Sequence, residues 1–138
     1  MEGLPRTQHA GLGDRPYEVP RCASSAQASS KSSSAPYAEL HAHSAYSFLD
    51  GASHPEELAA RAAELGYEAL ALTDHDGLYG SLEFAHAAKA FGVRAITGAE
   101  VTLAGGAHVT LLVESAQGYA NLCRLLTEAH AHTRDGQG

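Results

Sequence analysis

The sequence is poor in basic residues, in cysteine and in long apolar runs. Nine lysines and arginines stand against sixteen acidic residues, and the formal net charge is −7. This balance argues against a broad basic surface that binds phosphates by counterion release. The two cysteines, Cys22 and Cys123, lie in unlike contexts, which favours a reduced, cytoplasmic compartment. No apolar run approaches a membrane span, and the first residues lack the order of a secretory signal, so we expect no membrane association.

A chain of 138 residues with 44% hydrophobic residues has room for one domain with one sizeable core. Residues 1–35 contain the run CASSAQASSKSSSAP, in which serine and alanine replace large apolar residues. Such a segment cannot bury enough surface to offset its ordering entropy. We therefore expect a disordered low-complexity tail over residues 1–35 and the folded domain over residues 36–138.

Hydrophobic periodicity within residues 36–138 predicts strands that alternate with helices. Ser53 and Glu56 have the spacing of a capping box, and Leu58, Ala62 and Leu65 are the expected buried stripe of the first helix. Alternation of this kind predicts an α/β fold with parallel strands and right-handed crossovers, closed by a hairpin at Gly105-Gly106. Strands are expected near 37–43, 68–73, 94–101 and 108–113, and helices near 54–65, 81–91 and 115–131.

Histidines and acidic residues gather at the ends of these predicted strands. The stretch HAHSAYSFLDG, residues 41–51, closes the first strand with two histidines on one face and carries an acid in the following loop. Because functional residues of α/β folds collect at the carboxyl ends of parallel strands, one rim should hold them all. The residues concerned are His41, His43, Asp50, Asp74, His75, Asp76, Glu100 and His108.

This mixture of imidazoles and carboxylates favours several divalent ions over a single one. A Ser-His-Asp triad is the rival chemistry, but no nucleophile elbow of the type G-x-S-x-G is present. Each residue also has a structural interpretation: exposed strand histidines are common, and Asp74 and Asp76 could be turn residues that bond to their own loop. The structural interpretation is preferred for His54, His86 and His130, which lie on predicted helices.

The motifs HAHS, LDG, LTDH, EFAHAA, GAE and HVTLLV…GYANLCRLL occur in one order over residues 37–130. In that order they resemble the start of a PHP (polymerase and histidinol phosphatase) domain, and more narrowly the amino-terminal segment of a bacterial DNA polymerase III alpha subunit. The short link between Glu100 and His108 and the NLCRLLT helix resemble the error-prone branch of that family.

The resemblance implies a distorted β/α barrel whose rim holds a cluster of up to three divalent metals, with zinc, manganese or iron as candidates. It also implies that Asp74 orients His75 without binding metal itself. The family's site is completed by a later cysteine and an Asp-x-His pair, neither of which the sequence contains after residue 108 in a matching place. We therefore expect a partial barrel, truncated after about half. The implied metal ligands are His41, His43, Asp50, His75, Glu100 and His108.

For function, the resemblance implies a segment of an error-prone DNA polymerase that carries a metal-dependent phosphoesterase site, associated in the family with 3′→5′ exonuclease activity. DNA would then be contacted through the full-length parent, with other replication or translesion proteins as further partners. The polymerase palm is not in this sequence, so the fragment alone is expected to be inactive as a polymerase. Two alternatives stay open: a free-standing phosphatase of the histidinol-phosphate type, and a non-catalytic module that keeps metal ligands for folding.

Overall fold

Three helices and four strands make up residues 36–131, the part of the chain that the computed structural model describes. The strands are β1 (Ala38–Ala42), β2 (Ala69–Leu72), β3 (Arg94–Thr102) and β4 (His108–Leu112). The helices are α1 (Pro55–Leu65), α2 (Ser81–Phe91) and α3 (Ala116–Ala131). Their order and approximate bounds confirm the sequence-based prediction. The tail predicted over residues 1–35 lies outside the described residues.

The four strands form one sheet in the order β1-β2-β3-β4. β1 pairs with β2 in parallel, β2 pairs with β3 in parallel, and β4 returns antiparallel to β3. This arrangement confirms the predicted parallel pairing of the first three strands and the predicted hairpin. It brings the carboxyl ends of β1, β2 and β3 and the amino end of β4 to one side of the sheet, the rim.

The main apolar core lies between the sheet and the first two helices. All four residues of β2 are buried, as expected for a central parallel strand covered on both faces. Phe84 of α2 is 1% exposed, the largest of the fully buried side chains. The cluster consists of Ala59, Ala62, Leu70, Leu72, Phe84, Ala88 and Val93. Its small helix residues let α1 and α2 approach the sheet closely, which makes the strand ends a firm base for the rim.

α1 begins one residue later than the predicted capping box requires. The N-cap is His54, whose backbone N–H donates to the Glu57 carboxylate at 2.8 Å, so the pair Ser53 and Glu56 was the wrong one. Pro55 sets the start, because proline suits the first helical position, where its missing N–H would have no partner. The stripe prediction was wrong at Leu65, which is 50% exposed.

α3 closes a second, smaller core with the end of β3. Ser115 caps the helix, because its hydroxyl oxygen accepts a hydrogen bond from the backbone N–H of Gly118 at 3.1 Å. Leu122 and Leu126 are buried against Ala99 and Val101, whereas Tyr119 is 47% exposed. None of the helices among residues 36–131 has the length and apolar character needed to cross a membrane.

Candidate metal centre

The Glu100 carboxylate is the centre of the rim, with four imidazoles around it. Its Oε2 lies 2.6 Å from His41 Nε2 and 3.7 Å from His43 Nε2. Its Oε1 lies 2.9 Å from His108 Nδ1 and 3.9 Å from His75 Nε2. Each carboxylate oxygen therefore faces a different pair of histidines, and residues 67 positions apart along the chain (108 − 41) meet at one side chain.

Strand geometry explains why these side chains meet. His41 and His43 are two residues apart at the end of β1, so they project to the same face. Glu100 is paired with Thr110 across the β3–β4 hairpin, which makes His108 its diagonal neighbour on the same face. His75 follows β2 and forms an isolated parallel bridge with Glu100. The predicted convergence of His41, His43, His75, Glu100 and His108 is what the structure shows.

A bulge in β1 helps to aim its histidines. The register with β2 shifts between Glu39 and Ala42, so β1 holds one more residue than its partner there. The N–H groups of Leu40 and His41 donate instead to the Glu39 carboxylate, at 3.0 and 3.1 Å. The hydrogen bond from the Tyr37 hydroxyl is the main cause of a lowered pKa for Glu39, and the donors at Leu40 and His41 add to it. Bulges of this kind re-aim side chains beside functional sites.

The donor atoms fall into two groups that share Glu100. His41, His43 and Glu100 form one group and His75, His108 and Glu100 the other, each with its ligand atoms within 4.8 Å of one another. Nε2 of His43 is a buried polar atom without a hydrogen-bond partner in residues 36–131. Such an orphaned nitrogen is costly unless something binds it. Two imidazoles with one carboxylate oxygen are a donor set that zinc, manganese or iron accepts, so each group could hold a divalent ion.

The histidines hold Glu100 in its charged form. Burial alone would raise the pKa of this carboxyl, but the nearby His43 and the hydrogen bonds from His108 and His41 outweigh burial and lower it. The side chain is only 10% exposed, so the negative charge is kept at a place where few water molecules can solvate it. A carboxylate must be ionised to bind a metal ion, so this state of Glu100 would suit a divalent ion held beside it.

The Asp74 carboxylate makes its hydrogen bonds away from the His75 ring, and its predicted role in orienting that ring stays a prediction. Its carboxylate, in a residue 1% exposed, accepts hydrogen bonds from Ser44, Ser47 and Gly80. The link to His75 runs only through the backbone, because the Ser47 hydroxyl accepts from the His75 N–H at 2.9 Å. Asp74 points back from the rim because Ser44 and Ser47 present their donors on that side.

Asp76 contacts the His75 ring instead. Its Oδ2 lies 2.9 Å from His75 Nδ1, while Thr102 donates to both carboxylate oxygens at 2.8 Å. Burial works to raise the pKa of Asp76, but the Thr102 donors and His75 outweigh it and lower the pKa. In the sequence, Asp76 is a rim candidate with a turn residue as its structural interpretation, and no contact with His75 is predicted for it. Asp74 and Asp76 would share one face of a regular extended chain. What separates them is the left-handed backbone of Asp76, with a φ of 49°, which no local sequence pattern marks.

Asp50 does not join either group of donors. It lies on the exposed loop after β1, next to Leu49, whose φ is 71°. Its backbone N–H donates to the Ser47 carbonyl at 3.1 Å, which fixes the loop but leaves the carboxylate outside the two clusters. Its role as a metal ligand stays a prediction.

The family model described as PHP domain matches residues 39–137. The chain belongs to the PHP domain family. Error-prone DNA polymerases are similar to it: the one from Mycobacterium tuberculosis is 48% identical over 94% of this chain and 13% of that protein. The one from Nocardia farcinica is 68% identical over 49% of this chain and 6% of that protein. The predicted resemblance to the error-prone branch is thereby confirmed, and the chain spans about an eighth of the length of such relatives.

A solved structure supports the architecture of this PHP domain. An amidohydrolase from Chromobacterium violaceum, with bound sulfate and no metal, is 36% identical with a TM-score of 0.51. The alignment covers 63% of this chain and 32% of that one. The predicted α/β partial barrel is confirmed, because the PHP segment matches only a part of a longer chain of this fold.

Proposed function

We propose that this chain is the amino-terminal PHP segment of an error-prone DNA polymerase and that its rim is a metal-dependent phosphoesterase site acting on DNA. The observation that carries the proposal is the Glu100 carboxylate, whose two oxygens face two separate pairs of imidazoles. The relatives reported for the chain are error-prone DNA polymerases, which supports DNA as the polymer that the parent protein contacts and the cytoplasm as its compartment.

In this proposal His41, His43 and Glu100 would hold one divalent ion, and His75, His108 and Glu100 would hold a second. The chemistry that such ions supply when bound is activation of water and neutralisation of the charge that develops on a phosphoryl oxygen. The protein contributes the spacing: four imidazoles are set by strand ends before any ligand arrives. Asp50, on its loop beside the rim, is the proposed additional ligand, reached by a movement of that loop.

The negative net charge of the chain supports a local site for DNA and argues against a broad DNA-binding surface. With a net charge of −7, the chain repels a polyanion except where cations are held. The rim exposes His41 and His108 to solvent, with side chains 49% and 45% exposed, whereas Glu100 beneath them is 10% exposed. A phosphate can therefore approach the imidazole side of the cluster without meeting the buried carboxylate directly.

A calorimetric titration of the metal-free 138-residue chain with Zn²⁺ or Mn²⁺ tests the metal part. We expect about two ions per chain, and about one for each of the double variants His41→Ala/His43→Ala and His75→Ala/His108→Ala. The control is His86→Ala, an exposed histidine in the middle of α2, which should keep both ions. A chain that binds no ion contradicts the proposal.

Hydrolysis assays on the loaded chain separate the candidate activities. Release of nucleotides from the 3′ end of a labelled single-stranded DNA supports the exonuclease proposal, whereas cleavage of a phosphate monoester alone supports the histidinol-phosphatase alternative. Two bound ions without either activity indicate the structural module. That alternative also rests on an observation, since Glu100 already joins β1, β3 and β4 through His41 and His108.

A further inference from the structure

Asp76 lies next to the candidate metal centre and is held unusually firmly. Its backbone has a φ of 49°, in the left-handed region that residues other than glycine adopt rarely. Its N–H donates to the Glu100 carbonyl at 2.7 Å, and its own carbonyl lies 2.7 Å from His130 Nε2 on α3. Strained backbone that its surroundings hold in place is concentrated at functional sites.

The Asp76 carboxylate only accepts hydrogen bonds, and this determines which nitrogen of the neighbouring His75 ring is protonated. Thr102 donates its backbone N–H to Oδ1 and its hydroxyl to Oδ2, so both oxygens face donors. His75 Nδ1 is 2.9 Å from the same Oδ2. Because an ionised carboxylate cannot donate, Nδ1 must carry a proton. In the neutral ring the proton on Nδ1 leaves the lone pair on Nε2, the atom that faces Glu100.

We propose that Asp76 is the positioning residue of His75: it fixes the Nδ1–H tautomer, so that Nε2 is presented to the metal centre as a ligand. Thr102 supports this role by preventing the carboxylate from turning away. The arrangement corresponds to the carboxylate–histidine pairs that orient imidazole ligands in metalloproteins. The proposal deepens the proposed function, and its metal-affinity arm rests on that function, whereas its tautomer arm does not.

Asp76→Asn tests this directly, because asparagine has nearly the same side-chain shape as aspartate but replaces one acceptor oxygen with a donor –NH₂. If Oδ1 still accepts from the Thr102 N–H, the amide –NH₂ takes the place of Oδ2 and donates towards His75 Nδ1. The ring must then accept at Nδ1 and carry its proton on Nε2, which points a hydrogen at the centre. Thr102→Val removes only the hydroxyl donor, and we expect it to retain the wild-type tautomer.

The tautomer can be read directly by long-range ¹H–¹⁵N NMR of the metal-free 138-residue chain, with the His75 signals assigned by their loss in His75→Gln. We expect Nδ1 to be protonated in the wild type and Nε2 in Asp76→Asn. Glu64→Gln, which neutralises an exposed carboxylate on α1, should leave the wild-type pattern. A wild type with Nε2 protonated, or an Asp76→Asn variant with Nδ1 protonated, would overturn the proposal.

Metal affinity provides the second readout. Loss of such an orienting partner lowers metal affinity by about 10–100-fold, and we expect a loss in that range for Asp76→Asn by calorimetry with Zn²⁺. A change of less than about twofold, with the wild type binding normally, contradicts the positioning role. If the wild type binds no metal, the proposed function fails, and the NMR result alone decides the inference.

Discussion

Glu100 lies beside His75 in the same register that pairs β2 with β3, although β2 ends at Leu72. Ala69 pairs with Arg94, and His75 pairs with Glu100, an offset of 25 residues in both cases (94 − 69 and 100 − 75). Backbone bonds secure this extension: the Glu100 N–H donates to the Asp74 carbonyl at 3.2 Å, and the Asp76 N–H donates to the Glu100 carbonyl. His75 and Glu100 therefore lie on backbone segments that hydrogen-bond to each other, and these bonds keep the two side chains close together before any ion binds.

Replacing the carboxylate that the two donor groups share should remove at least one of the two proposed ions. In Glu100→Gln one oxygen becomes an amide –NH₂, which cannot bind a cation, and the negative charge is lost. We expect the number of Zn²⁺ ions bound per chain to fall from about two to at most one in a calorimetric titration. Glu114→Gln, an exposed glutamate after β4, is the matched control and should keep the wild-type stoichiometry. If Glu100→Gln bound two ions with wild-type affinity, Glu100 would not be a ligand that both ions need.

Asp74 should contribute strongly to stability. Asp74→Ala removes the acceptor for the buried hydroxyls of Ser44 and Ser47 and for the Gly80 N–H. Leaving buried donors of this kind without an acceptor costs about 1–3 kcal/mol. We expect a loss of this size in urea unfolding of the metal-free chain.

Asp50→Ala is the control for Asp74→Ala, because Asp50 is exposed. Its free energy of unfolding without metal should change by less than about 0.5 kcal/mol. Equal effects of the two substitutions would show that the Asp74 network is not what stabilises this loop.

Gly51 allows the loop after β1 to turn tightly back on the strand. A Cβ at this position would lie 2.0 Å from the Ser44 carbonyl oxygen and 3.0 Å from that of His43. We expect Gly51→Ala to displace the loop, to cost about 1–3 kcal/mol as overpacking does, and to weaken metal binding. Gly118→Ala in α3 meets nothing closer than 3.5 Å and should stabilise the chain by about 0.5–1 kcal/mol. Equal melting temperatures for Gly51→Ala and Gly118→Ala would contradict the steric role of Gly51.

The pair Glu56 and Glu83 should make stability depend on pH. Their mutual hydrogen bond is the main cause of a raised pKa for Glu56, above its ordinary value of 4.5, and of a lowered pKa for Glu83. A raised folded-state pKa contributes stability at low pH that is lost as the pH rises through that pKa. In Glu56→Gln the amide donates to Glu83 at every pH.

We therefore expect Glu56→Gln to melt at a higher temperature than the wild type at pH 7. The gain should be at most about 1 kcal/mol, since both side chains are partly exposed. Between pH 7 and pH 4 the difference should shrink, because Glu56 of the wild type becomes protonated. Glu64→Gln, in which the carboxylate pairs with Arg61, should show no gain at pH 7. A gap for Glu56→Gln that widens on acidification would contradict the shared proton.

The order of strands and helices was predictable because it depends on the hydrophobic pattern and the turn residues of short segments. The buried run of β2, the apolar spacing of α2 and the Gly105-Gly106 turn each depend on residues close together in the chain. The convergence of His41, His75 and Glu100 was predictable as well, since parallel strands joined by helices place their carboxyl ends side by side. Asp50 was expected at the same rim from its loop position and from the family resemblance, but the two observed donor groups do not include it.

Only the tertiary structure decided which groups the carboxylates of Asp74 and Asp76 contact. Asp74 and Asp76 flank His75 symmetrically in the sequence, yet one is enclosed by Ser44 and Ser47 and the other is turned by Thr102 onto the imidazole. Their donors come from segments about 26–30 positions away, and no local pattern specifies where those donors will lie. The sequence by itself therefore determined the elements and their common rim, and the packing of distant donors decided the charge and hydrogen-bond pattern within it.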